Sequence, residues 1–92
     1  MKYRVVWRKR VVDQLHTAAF LAIEKGGSEK PIEEAVATIN QHLTTDPNEQ
    51  GESRGVNERV LIVTPLTIWF EVFEQTSVVI VYDAILYPRR RY

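Results

Sequence analysis

Ninety-two residues, 45% of them hydrophobic and 26% charged, have the make-up of one ordinary globular domain over residues 1–92 and exclude a chain too polar to fold. The lack of cysteine excludes a disulfide frame and a thiolate metal site, and no apolar run approaches the ~18 residues of a membrane span. Charges interrupt the apolar residues of the N-terminal MKYRVVWRKR, unlike a signal peptide, so no membrane association and a cytoplasmic location are expected.

The net charge of zero conceals a segregation. Lys2, Arg4, Arg8, Lys9 and Arg10 begin the chain without an acid, and Arg89, Arg90 and Arg91 end it. Residues 11–88 hold all twelve acids against four cations, a balance of minus eight. If the two ends meet in space they form a basic pole suited to phosphate or to an acidic protein; the plainer alternative is that charged ends keep the chain in solution.

Residues 3–10 alternate. Tyr3, Val5 and Trp7 fall on one face and Arg4, Val6, Arg8 and Arg10 on the other, which predicts a strand with one core face and one basic face. Over 11–25 the period becomes helical, with Val12, Leu15, Ala19, Ala22 and Ile23 as an apolar stripe and Leu21 opposite it, a hint of contact beyond the core. Gly26-Gly27 ends this helix because glycine takes the left-handed conformation without steric cost.

A second helix is predicted from Pro31, since proline suits the first helical position and Glu33 and Glu34 favour the positive end of the helix dipole. Ile32, Ala35, Val36, Ile39 and Leu43 form its stripe, and Thr44-Thr45-Asp46-Pro47 stops it. The short glycine link makes the two helices an antiparallel hairpin. Residues 46–58, DPNEQGESRGVNE, read as a polar surface loop.

Residues 59–87, RVLIVTPLTIWFEVFEQTSVVIVYDAILY, are mostly β-branched, aromatic or apolar. Pro65-Leu66 and Gln75-Thr76-Ser77 divide them into strands over 59–64, 67–74 and 78–86, an antiparallel meander. The unbroken Val78-Val79-Ile80-Val81 demands a strand inside the sheet or covered on both sides. The expected fold is α+β, β-α-α-β-β-β, with the helix hairpin on one face of a mainly antiparallel four-stranded sheet and the first strand beside the central or last strand of the meander.

Chemistry-bearing patterns are sparse. His16 and His42 lack a second ligand at helical metal spacing, Ser28, Ser53 and Ser77 stand in turns, and no glycine loop cradles phosphate, so no metal or cofactor is expected. What remains is arginine and tyrosine in or beside the meander: Arg54, Arg59, Tyr82, Tyr87, Arg89, Arg90, Arg91 and Tyr92. Such groups can hold a phosphate, stack on a base and protonate a leaving oxygen; equally, Tyr82 and Tyr87 can be core or edge aromatics and Arg54 can pair with loop acids.

The element order, with Gly51-Glu52-Ser53-Arg54, Arg59-Val60-Leu61 and the hairpin from Val63 to Val72, resembles the RelE/ParE superfamily of toxin–antitoxin toxins. The resemblance in element order covers the whole chain, and that in wording covers residues 51–72. It implies a small cytoplasmic, growth-inhibiting toxin of the plasmid-stabilisation kind, neutralised by a cognate antitoxin and aimed at DNA gyrase or at messenger RNA on the ribosome. Thr67 stands where the family usually supplies an arginine, Leu86-Tyr87 where a basic pair is usual, and the loop before residue 59 has no lysine. These departures favour a ParE-like or catalytically degenerate member over a metal-independent endoribonuclease. The resemblance points to Arg54, Arg59 and Tyr87 as catalytic if cleavage occurs, and the chain's own charge pattern points to Arg4, Arg8, Arg10, Arg89, Arg90 and Arg91 for a nucleic acid or partner. A non-toxic interaction module of the same fold, a homodimer through the hairpin or a sheet edge included, is the alternative.

Overall fold

The computed structural model describes residues 2–86. In chain order these form β1 (Arg4–Trp7), α1 (Lys9–Glu24), α2 (Lys30–Thr45), a 3-10 turn (Pro47–Glu49), β2 (Glu52–Ser53), β3 (Glu58–Val63), β4 (Leu66–Phe73) and β5 (Val78–Leu86). The α+β class and the element order are those expected, but the sheet has five strands rather than four, in the order β1-β5-β4-β3-β2. The additional β2 pairs Glu52 with Val60 and Ser53 with Arg59. Its two residues come from the stretch expected to be loop; two polar residues carry no period-2 signal, so only the neighbouring edge of β3 reveals them.

β2 to β5 are joined antiparallel, and β1 lies parallel to β5 with Val5 opposite Val79 and Trp7 opposite Val81. That position satisfies the apolar run of β5, which lies inside the sheet. The first strand is shorter than its alternation suggests. Arg8 caps α1, and Lys9 and Arg10 belong to that helix, so Arg10 leaves the strand face to which periodicity assigns it.

Helix ends follow the sequence closely. Gly26 has a φ of 85°, and the amides of Gly26 and Gly27 donate to the carbonyls of Ile23 and Ala22, closing α1 in a Schellman motif. α2 starts at Lys30, one residue before the expected Pro31, with the Ser28 hydroxyl accepting the Lys30 amide at 3.0 Å.

One face of the sheet carries the core. Leu66, Ile68, Phe70 and Val72 of β4 and Val79, Val81 and Ala84 of β5 pack against Val11 of α1 and Ala35, Ile39 and Leu43 of α2. Of α1 only Val11 is buried, while α2 buries Ile32, Ala35, Ile39 and Leu43. α1 therefore sits shallowly, and Phe20, Leu21 and Ile23 near its end are exposed. A cleft of about 510 Å³ opens between the helices, lined by Val12, Leu15, Ala19, Val36 and Trp7 among others, with the Trp7 indole donating to Asn40 at 2.7 Å.

The other face of the sheet has no helix across it. By register it carries Arg4 and Val6, then Val78, Ile80, Asp83 and Ile85, then Thr67, Trp69, Glu71 and Phe73, and finally Glu58, Val60 and Ile62.

Candidate functional site

Strand alternation delivers two surfaces of opposite character. The first is basic and follows the β1 edge. Arg4 projects from the exposed side of β1, and the exposed Arg8 ends the strand with its amide on the Val81 carbonyl at 3.0 Å. Neither side chain has an ion-pair partner among the described residues. Lys9 is held by Asp13 at 2.8 Å, one helical turn on, and this bond raises the lysine pKa.

Arg10 is differently employed. β1 covers β5 only as far as Val81, which leaves the rest of β5 as a sheet edge. Arg10 Nη2 donates to the Tyr82 carbonyl at 2.9 Å and Gln14 Nε2 to the Ala84 carbonyl at 3.3 Å, so α1 protects that edge against further strand pairing. Arg10 also lies 3.7 Å from the Asp83 carboxylate. Of the cations expected on the first strand, Arg4 and Arg8 face solvent and Arg10 closes a seam.

Arg54 and Arg59 lie at the opposite edge of the sheet, beside β2. Arg54 pairs with Glu52 at 3.1 Å. Arg59, opposite Phe70 on β4, donates from Nε to the Gln50 carbonyl at 2.7 Å and from Nη2 to the Gly51 carbonyl at 3.1 Å, tying the 3-10 turn to β3. Tyr87, Arg89, Arg90 and Arg91 lie outside the described residues. The described arginines thus divide between the β1 side and the β3–β2 side of the sheet, with β5 and β4 between them.

The second surface is this open face. Tyr82 sits at the irregularity where β4 pairing jumps from Trp69–Asp83 to Phe70–Val81, and its hydroxyl reaches Glu58 Oε1 at 3.5 Å. Burial first, then the neighbouring Glu58, raises the phenol pKa, so the hydroxyl keeps its proton well above neutral pH. Glu58 and Glu71 are direct cross-strand partners, an unfavourable like-charge pair, and neither has a cation among the described residues. Periodicity does place Thr67, Trp69, Glu71 and Phe73 on one side of a strand. The opposition of Glu58 and Glu71 depends on register, which no sequence spacing encodes.

Thr67 is the one buried polar side chain among the described residues, 5% exposed, and its Oγ1 has no hydrogen-bond partner there. An unpaired buried hydroxyl costs free energy that an isosteric methyl does not. Thr67→Val is accordingly expected to stabilise the fold by about 1 kcal/mol, a rise of roughly 4–8 °C in Tm. A thermal melt by circular dichroism checks this; an unchanged or lower Tm would mean that the hydroxyl has a partner.

No protein-family model and no curated protein matches the sequence. Among solved structures, the crystal structure of the isolated E. coli RelE toxin (P21 form) is similar, with a TM-score of 0.65 over 96% of this chain and 87% of that one at 13% sequence identity. That likeness shows a RelE-like fold.

Proposed function

We propose, from a fold shared with RelE, that this chain is the toxin-like member of a toxin–antitoxin pair and that it acts by binding rather than by cleavage. Its basic β1 edge, with Arg4 and Arg8 at the centre and Lys2 alongside, engages an acidic antitoxin segment or a macromolecular target. The observation that carries this is the division of charge: the unpaired Arg4 and Arg8 gather at the β1 edge, while the rest of the open face, over β5, β4 and β3, is apolar and acidic.

An acidic face repels an RNA phosphate instead of neutralising it. The two described arginines that a ribonuclease would assign to the phosphate, Arg54 and Arg59, already bond Glu52 and the Gln50 and Gly51 carbonyls. Both points favour the ParE-like or degenerate reading, with DNA gyrase or another macromolecule as target, over cleavage of messenger RNA on the ribosome.

Expression from a tightly repressed promoter, with pulse-labelling of DNA and protein synthesis, tests the proposal. Growth inhibition with intact messenger is the expected result, relieved when Arg4→Glu and Arg8→Glu are introduced together. Charge reversal at an interface rim should slow association about tenfold or more and flatten its salt dependence. Cleaved messenger on induction would overturn the binding mechanism, and undiminished inhibition by the double variant would remove the basic edge from it.

A second reading has its own observation. Phe20, Leu21 and Ile23 are exposed near the end of α1, and an apolar cleft opens between α1 and α2, as in a non-toxic interaction module or homodimer that buries its hairpin. Absence of any growth effect from the folded chain would favour it.

A further inference from the structure

We propose that the outer edge of β1 is a strand-addition site for an acidic extended peptide segment, which pairs with the backbone of Val5 and Trp7 while its carboxylates meet Arg4 and Arg8. The inference rests on the basic-edge reading above and gives it a geometry. The backbone comes first. The amides of Arg4 and Arg8 donate to the Ser77 and Val81 carbonyls at 2.8 and 3.0 Å, so the even-numbered residues of β1 direct their backbone groups to β5. In an extended chain the odd-numbered residues direct theirs the other way. Tyr3 shows this, its amide donating to the Thr44 carbonyl near the end of α2 at 2.7 Å. Val5 and Trp7 follow at the same parity, and among the described residues their N–H and C=O groups have no backbone partner. Thr44 bounds this free edge on one side and α1, starting at Lys9, on the other. It admits a strand of about five residues.

The side chains say which strand fits. Arg4, Val6 and Arg8 are exposed, while Tyr3, Val5 and Trp7 are half-buried and pack against the core. Arg8 is still extended, with φ −61° and ψ 145°, so it continues the alternation of β1. Neither Arg4 nor Arg8 has an ion-pair partner among the described residues.

Four residues of strand separate the two arginines by about 13 Å. An acidic helix would need carboxylates about nine residues apart, and its backbone groups are already bonded internally. A second strand repeats the spacing and supplies both donors and acceptors to Val5 and Trp7. In an antiparallel addition bonded at those two residues, the partners of Arg4, Val6 and Arg8 form the closer, non-hydrogen-bonded pairs, where opposite charges and apolar side chains attract most. The segment that fits therefore reads acidic-x-apolar-x-acidic. A nucleic acid matches the arginines only, because phosphate oxygens accept hydrogen bonds and leave the Val5 and Trp7 carbonyls unsatisfied.

The probe is the synthetic peptide Thr-Glu-Thr-Val-Thr-Glu-Thr, dye-labelled and added to the full chain at low ionic strength. It reads alike in both directions, so either polarity presents the same side chains. Anisotropy is expected to report binding. Amide hydrogen exchange should slow about tenfold or more at Val5 and Trp7, while Arg4 and Arg8, already bonded to β5, keep their rates. Val5→Pro removes the outward N–H without touching a bond to β5 and should weaken binding about tenfold relative to Val5→Ala, the control for the lost side chain. Replacing both peptide glutamates by glutamine should weaken it about tenfold as well. Circular dichroism checks that each variant is folded, and the exchange pattern of the unaltered chain decides the matter without any of them. Binding that Arg4→Glu with Arg8→Glu abolishes, but with unchanged exchange at Val5 and Trp7, would overturn strand addition and leave the basic edge standing. No peptide binding, with a single-stranded oligonucleotide bound through the same arginines, would overturn it in favour of a nucleic acid. Binding of neither would overturn it together with the basic edge.

Discussion

Phe70→Ala is expected to destabilise the protein by about 3–5 kcal/mol, with a fall in Tm of roughly 15–30 °C. Phe70 is the largest fully buried side chain among the described residues, at the middle of the β4 face that meets both helices. Its backbone pairs with Arg59 on one side and Val81 on the other, both in β-ladders that restrict relaxation, so the vacated volume cannot close by a loop shift. Domains of this length have about 5–15 kcal/mol in total, so the variant would keep a small margin at 37 °C and lose cellular abundance with it. Phe20→Ala is the matched control, because Phe20 is 59% exposed and its truncation should stay within about 0.5 kcal/mol. Chemical denaturation of the pair decides the matter; equal midpoints would contradict the assignment of Phe70 to the core.

Gly51→Ala should follow, at about 2–4 kcal/mol, from a different cause. Gly51 has a φ of 66°, a conformation that strains any residue with a Cβ, and a Cβ there would run into the backbone carbonyl of Val60. Val60 is the partner of Glu52 in the β2–β3 ladder, and the Gly51 carbonyl is itself an acceptor for Arg59. Relieving the clash therefore separates β2 from β3 and releases the Arg59 tether together. Hydrogen exchange should quicken at the Arg54 amide, which bonds the Glu58 carbonyl at 2.7 Å, while the β4–β5 ladder stays protected. At Gly55 an added Cβ meets only the flexible Glu58 side chain, at ordinary contact distance, so Gly55→Ala should change stability by less than about 0.5 kcal/mol. Similar losses from both alanine variants would show that the strain at Gly51 is not what matters.

Arg59 illustrates how far sequence carries a functional residue. Its type and place in the chain suit phosphate binding, yet the two carbonyls that take up its donors belong to Gln50 and Gly51, brought beside it by the 3-10 turn Pro47–Glu49, whose three residues carry no strand or helix period. Arg10 is similar. Alternation assigns it to a strand face, whereas helix formation from Lys9 turns it toward the uncovered carbonyl edge of β5. In each case a long side chain goes where backbone acceptors are left over, and where they are left over depends on strand length and pairing.

What the amino-acid order determined by itself is whatever depends on near neighbours. The period-2 and period-3.6 patterns placed the strands and helices, Gly26-Gly27 placed the end of α1 through a left-handed residue, and the apolar run of β5 required an interior strand. The tertiary structure alone decided the parallel pairing of β1 with β5, the recruitment of β2, the confrontation of Glu58 with Glu71 and the apolar cleft between the helices. Those features arise between residues far apart in the chain, where register and packing, rather than local propensity, set which groups meet.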